Sequence, residues 1–113
     1  EFGRVDCLIN NAFAIPPMEP LTTLDHDALR ASLETNAFAP LRLSTLFADA
    51  LAASQGSIIM VNSAVLRQSQ PEFGGYKLSK GTLEHLAKFA FQARKPGLPP
   101  ISEKQPVENR LFI

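Results

Sequence analysis

With one cysteine, Cys7, in 113 residues, no disulfide can form within the chain. The two histidines, His26 and His85, lie far apart, with no thiol pair or close carboxylate pattern between them, and this argues against a structural zinc site. Charge of one sign is also missing. Eleven basic residues balance eleven acidic ones, so no concentrated positive field exists to hold nucleic acid or anionic lipid. Long apolar runs are absent too: the most apolar helical stretch, Phe38 to Ala53, carries Arg42 and Asp49 and is too short to span a bilayer. No basic-then-apolar signal peptide opens the chain. These absences together predict a cytoplasmic protein without membrane, nucleic-acid or metal partners. The first residue is Glu1 rather than methionine and lies in the approach to a strand, so an excised or incomplete gene product is expected.

What is present fits one globular domain, since hydrophobic residues make up 45% of the chain and charged residues 19%. Val5-Asp6-Cys7-Leu8-Ile9 is a short apolar run that stops at Asn10-Asn11. Ser57-Ile58-Ile59-Met60-Val61 is a second, stopping at Asn62-Ser63. Continuous rather than alternating apolarity predicts strands of a parallel sheet buried on both faces. Between them Pro16, Pro17 and Pro20 force a loop, after which Thr22 or Thr23 is expected to cap a helix with Asp25 and Asp27 in its first turn. That helix should run to Ser54 and end at Gly56. A break is expected near Asn36, a poor helix former, because Pro40 cannot donate the amide bond to its carbonyl.

After the second strand a polar loop, 64–72, leads to a helix expected from Phe73 to Arg94. The order strand, helix, strand, helix predicts an α/β fold: part of a Rossmann-like, doubly wound parallel sheet. The domain is placed at 1–94. Residues 95–113, with Pro96, Pro99, Pro100 and Pro106 among polar residues, are expected to form a flexible tail.

In open α/β sheets ligands bind outside the carboxyl ends of the strands, and both strand ends deliver small polar residues to that edge. The plain alternative is that Asn10, Asn11, Asn62 and Ser63 only end strands and make turns. On the last helix Lys77, Glu84, Lys88 and Lys95 share a stripe that should face solvent. Tyr76 and Lys80 fall elsewhere, on the side of Leu83, Ala87 and Ala90, which should be largely buried. A lysine there is costly unless its ammonium has a partner or a purpose, or snorkels to the helix end. At i,i+4 spacing Tyr76 and Lys80 put a phenol beside an ammonium, near where Ser63 emerges. An adjacent cation stabilises a phenolate and suits it to proton exchange near neutral pH, and Ser63 is placed to orient a carbonyl or alcohol oxygen. The spacing alone is weak, since about one tyrosine in twenty has lysine four residues on.

Leu8-Ile9-Asn10-Asn11-Ala12, then Asn36, Ser63 and Tyr76-Lys77-Leu78-Ser79-Lys80, resemble in order and spacing the signatures of the short-chain dehydrogenase/reductase family. The resemblance covers residues 1 to 93. It implies an NAD- or NADP-dependent oxidoreductase that interconverts a small-molecule carbonyl and alcohol by hydride transfer. Tyr76 would be the general acid in reduction and the base in oxidation. Lys80 would assist Tyr76 and bind the nicotinamide ribose hydroxyls, Ser63 would orient the substrate oxygen, and Asn36 would hold a water linking Lys80 to solvent. Asn11 and Ala12 would touch the cofactor through their backbone. The last helix is apolar over more than half its circumference, which a neighbouring helix of the same domain would cover; the resemblance implies instead a homodimer or homotetramer for the full-length protein, with this helix and the Asn36 helix packing on a partner's copies.

Two departures qualify it. Phe13 stands where the family usually has glycine, which leaves either a shifted loop or an aromatic wall to the pocket. The glycine-rich turn that cradles the cofactor's pyrophosphate normally precedes the segment beginning at Glu1, and two strands leave a sheet with open edges. A truncated, non-catalytic remnant that binds a full-length relative through its helices is therefore a second expectation. An unrelated small α/β binding module with accidental spacing is a third. The loop residues Arg67, Gln68 and Gln70 border the site in sequence but do not name a substrate.

Overall fold

The computed structural model describes residues 2–89. Two four-residue strands, β1 (Cys7–Asn10) and β2 (Ser57–Met60), pair in parallel with Cys7 opposite Ser57, Leu8 opposite Ile58, Ile9 opposite Ile59 and Asn10 opposite Met60. Between them run α1 (His26–Leu33), a π-helical turn (Glu34–Phe38) and α2 (Ala39–Ser54). Two short 3₁₀ turns, Ala64–Arg67 and Pro71–Phe73, then lead into α3 (Gly74–Phe89). This is the expected β-α-β-α order of a partial Rossmann-like sheet. The expected continuation of α3 to Arg94 and the stretch 95–113 lie outside the described residues, as do the side chains of Lys88 and Phe89.

The strands are not buried on both faces as their apolarity suggested. Ile9 is 59% exposed and Cys7 is exposed, whereas Asn10 and Met60 are buried. Helices pack against one side, and among the described residues no element covers Ile9 on the other. The core consists of Leu24, Ala37, Leu51, Met60, Val65 and Leu83, where the helices meet one another and the strand ends. Burying side chains of this size contributes about 1.5–3 kcal/mol each for the larger aliphatic ones.

The first helix begins later than expected. Thr23 donates both its amide (3.0 Å) and its hydroxyl (3.2 Å) to the Pro20 carbonyl, so the Pro20 turn has already used its side chain. Asp25 becomes the cap instead: its backbone is extended, and its carboxylate accepts from the Asp27 amide at 3.0 Å. The break near Asn36 takes the form of the π turn, in which the Ala39 amide reaches back five residues to the Glu34 carbonyl. Pro40, in the first turn of α2, has no amide to restore the ordinary i−4 pattern.

At the other end of α2 the left-handed residue is Gln55 (φ 55°), not Gly56. Gly56 is needed for another reason. A Cβ there would lie 2.6 Å from the Asp6 carbonyl oxygen, at the point where the helix end returns to β1.

On α3, Lys80 and Leu83 are each 2% exposed, and Tyr76 is half-buried, as the helix face predicted. Among the described side chains of α3, Leu78, Thr82 and His85 are exposed, while Lys77 and Glu84 of the expected stripe are half-buried. Lys77 turns onto the Gln68 carbonyl and so ties the loop after β2 to the start of α3.

Candidate active site

Lys80 brings together the ends of both strands and the face of α3. Its ammonium donates to the Val61 carbonyl, one residue past β2, at 3.0 Å. The Nζ atom stands 6.0 Å from the centre of the Tyr76 ring and 5.7 Å from that of Phe13, within the range of cation–π attraction. Burial pushes the ammonium pKa down from its usual 10.5. Lysine is therefore not snorkelling: its charged end is held at the carboxyl edge of the sheet.

Asn62 anchors the same helix turn from the strand side. Its amide donates to the Lys80 carbonyl at 3.1 Å, and its side-chain oxygen accepts from the Ser63 amide at 2.8 Å. Ser63, half-buried, accepts from the Val65 amide at 3.3 Å and so caps the first 3₁₀ turn. Its hydroxyl proton is not used in that bond. Asn11 and Ala12 lie exposed just beyond β1, at the same edge.

The side chain of Asn36 joins the loop after β1 to α3. Fully buried in the π turn, its side-chain oxygen accepts from the Ala14 amide at 2.7 Å. Its Nδ2 atom donates to the Ala14 carbonyl at 2.7 Å and lies 2.9 Å from the Ser79 hydroxyl and 3.1 Å from that of Ser32. One proton arrangement satisfies the group. Nδ2 gives its hydrogens to Ala14 and Ser79, the Ser79 hydroxyl donates to the Tyr76 carbonyl at 2.9 Å, and Ser32 donates to Ala14 at 3.2 Å. Ser32 and Ser79 are 2% and 0% exposed, so these bonds are made away from water, where leaving one unmade is expensive. The network runs from the loop after β1, through the π turn, to the turn of α3 that carries Tyr76 and Lys80.

Ser32, Ser79, Asn62 and the Val61 carbonyl were not singled out from sequence for these contacts. Small polar residues in helices carry no periodic signal, and a backbone acceptor has none at all. Arg67, Gln68 and Gln70 are exposed. Among the described residues no cluster of three or more His, Cys, Asp or Glu could hold a metal ion, and no helix is long and apolar enough to cross a membrane.

Comparison with known proteins agrees with the class of fold. The chain belongs to the short-chain dehydrogenase family, whose model matches residues 1–96. It is 34% identical over 87 residues to the L-fucose dehydrogenase of Oryctolagus cuniculus, covering 77% of this chain and 31% of that protein. A short-chain dehydrogenase/reductase of unknown function from Caenorhabditis elegans, solved with cofactor, superposes with a TM-score of 0.72 at 31% identity, covering 80% of this chain and 35% of that one. A short-chain dehydrogenase from Escherichia coli CFT073 complexed with NADPH superposes with a TM-score of 0.70 at 26% identity, covering 80% and 40%. The chain thus spans about a third of the length of these relatives.

Proposed function

We propose that this chain is the catalytic segment of a longer NAD- or NADP-dependent oxidoreductase that interconverts a small-molecule carbonyl and alcohol, with Tyr76 as general acid in reduction and general base in oxidation. The observation that carries this reading is the buried Lys80 ammonium, held at the sheet edge 6.0 Å from the Tyr76 ring. A buried cation is costly without a function or full pairing, and among the described residues one of its three donors has an acceptor, the Val61 carbonyl.

The donor set fits the nicotinamide end of the cofactor. Lys80 has two further N–H groups for ribose hydroxyls, and Asn11 and Ala12 lie exposed at the same edge. A bound nicotinamide supplies or takes the hydride. Tyr76 exchanges a proton with the substrate oxygen, and the neighbouring ammonium stabilises negative charge as it develops on the phenolic oxygen. Ser63 donates its free hydroxyl proton to that same substrate oxygen and fixes its direction. Asn36 acts on the site by holding the Ala14 peptide unit and, through Ser79, the Tyr76 turn.

Fluorescence titration of the full-length protein with NADH and with NADPH tests the reading. Saturable binding of one or both, weakened at least about ten-fold by Lys80→Ala, is expected from the loss of a charge-assisted contact. Absence of binding to either would leave the remnant reading, which the exposed apolar residues Leu46 (73%), Phe38 (49%) and Leu78 (46%) on the helices favour.

A further inference from the structure

Lys80 is only 2% exposed, so its side chain is almost wholly covered in this structure. Among the described residues, the Val61 carbonyl, the Tyr76 ring and the Phe13 ring lie close to its ammonium. Val61 follows directly on the strand, where its amide bonds the Asn10 carbonyl at 3.0 Å, and cannot yield without disturbing the sheet end. Tyr76 is half-buried on a helical turn tied down through Ser79. Phe13 differs from both. It is 57% exposed, and it sits in the short segment between the end of β1 and the clamped residue Ala14. Its ring loses little packing on rotating outward, while its backbone stays fixed by the neighbouring clamp.

We propose that Phe13 is a gate over Lys80, closed in the free protein and displaced when a hydroxyl-bearing ligand takes the ammonium, so that this side chain sets the affinity for the nicotinamide cofactor. The closed state is held by the cation–π contact. A ligand that needs the open state binds with its intrinsic dissociation constant divided by the open fraction, so a ring that keeps the gate closed weakens apparent affinity. The affinity half of the proposal rests on the assignment of Lys80 as the ribose contact. The gate itself does not.

The experiment separates the two. In the cofactor-free, full-length protein, brief treatment with an amine-acetylating reagent is followed by mass spectrometry of Lys80, with Lys77 on the same helix as reference. Phe13→Ala is expected to raise Lys80 modification relative to Lys77 by about five-fold, and Phe13→Trp to lower it, in keeping with a cover whose open fraction has changed. In parallel, the dissociation constant for NADH or NADPH is expected to fall about three- to ten-fold in Phe13→Ala. Unchanged Lys80 modification in Phe13→Ala overturns the gate. Increased modification with an unchanged or weaker dissociation constant overturns its role in cofactor affinity, because the ring would then be neutral to the bound cofactor or in contact with it. If the wild type binds neither cofactor, the assignment of Lys80 fails, and the modification rates alone decide the gate.

Discussion

Asn36 grips Ala14 at both ends of a single residue, accepting from its amide at 2.7 Å and donating to its carbonyl at 2.7 Å. The two residues are 22 apart in sequence, and the contact fixes the loop after β1 to the π turn between α1 and α2. Asn36→Ala removes the partner of the Ala14 amide and the shorter of two bonds to the Ala14 carbonyl in a part-buried setting, along with the amide shared by Ser32 and Ser79. A loss of about 3 kcal/mol of unfolding free energy is expected, read by urea denaturation. A loss within experimental error of zero would mean that water replaces the side chain freely.

Ser79 should report on the same network. Ser79→Ala removes the hydroxyl between Asn36 Nδ2 and the Tyr76 carbonyl and is expected to cost about 1 kcal/mol. Combined with Asn36→Ala, it should add much less than its own cost, because the shared bond is already gone. Simple additivity of the two would show that they act independently.

Two glycines on α3 should respond in opposite directions to the same substitution. A Cβ at Gly75 would lie 2.5 Å from Leu24 Cδ2 and 3.1 Å from Pro16 Cγ, so Gly75→Ala is expected to destabilise by about 1–3 kcal/mol. Gly81 has nothing within 4 Å of the added atom, and Gly81→Ala should stabilise the helix by up to about 1 kcal/mol. Thermal denaturation of the two variants checks the pair. Similar melting temperatures would contradict the close approach of the Pro16 to Leu24 loop to the start of α3.

The buried lysine gives stability a specific pH dependence. Its folded pKa lies below the usual 10.5 because burial disfavours the charged form. Between the two values the unfolded chain holds the proton and the folded chain does not, so this group's contribution to stability rises with pH across that window. Below the window both states are protonated, and the burial cost is present in full. Unfolding of wild type and Lys80→Met as pH rises from neutrality to the usual lysine value isolates the effect, since other titrations cancel in the difference. The difference should move in favour of the wild type as pH rises. A difference independent of pH would contradict the burial of the ammonium.

Local rules read the fold further than they read the contacts of the site. The βαβ order followed from two apolar runs and their polar ends, and the break at Asn36 followed from a poor helix former four residues before proline. Asp25 displaced the threonines as cap because the Pro20 turn had already engaged Thr23, a competition between neighbours that propensity alone does not rank. Ile9 is exposed because, among the described residues, nothing packs on its side of the sheet, and an apolar run does not say how many layers cover a strand. The partner of Asn36 was hidden for a simpler reason. It is the backbone of Ala14, and a main-chain group leaves no mark in the sequence.

The most direct test of the proposed chemistry is the turnover of Tyr76→Phe in the full-length protein, measured beside its NADH or NADPH dissociation constant. Loss of the phenolic proton should lower turnover by at least about 10²-fold while the cofactor still binds, since positioned proton transfer contributes rate enhancements of that order. Turnover close to that of the wild type, with the cofactor bound, would contradict the assignment of Tyr76 as the general acid and base.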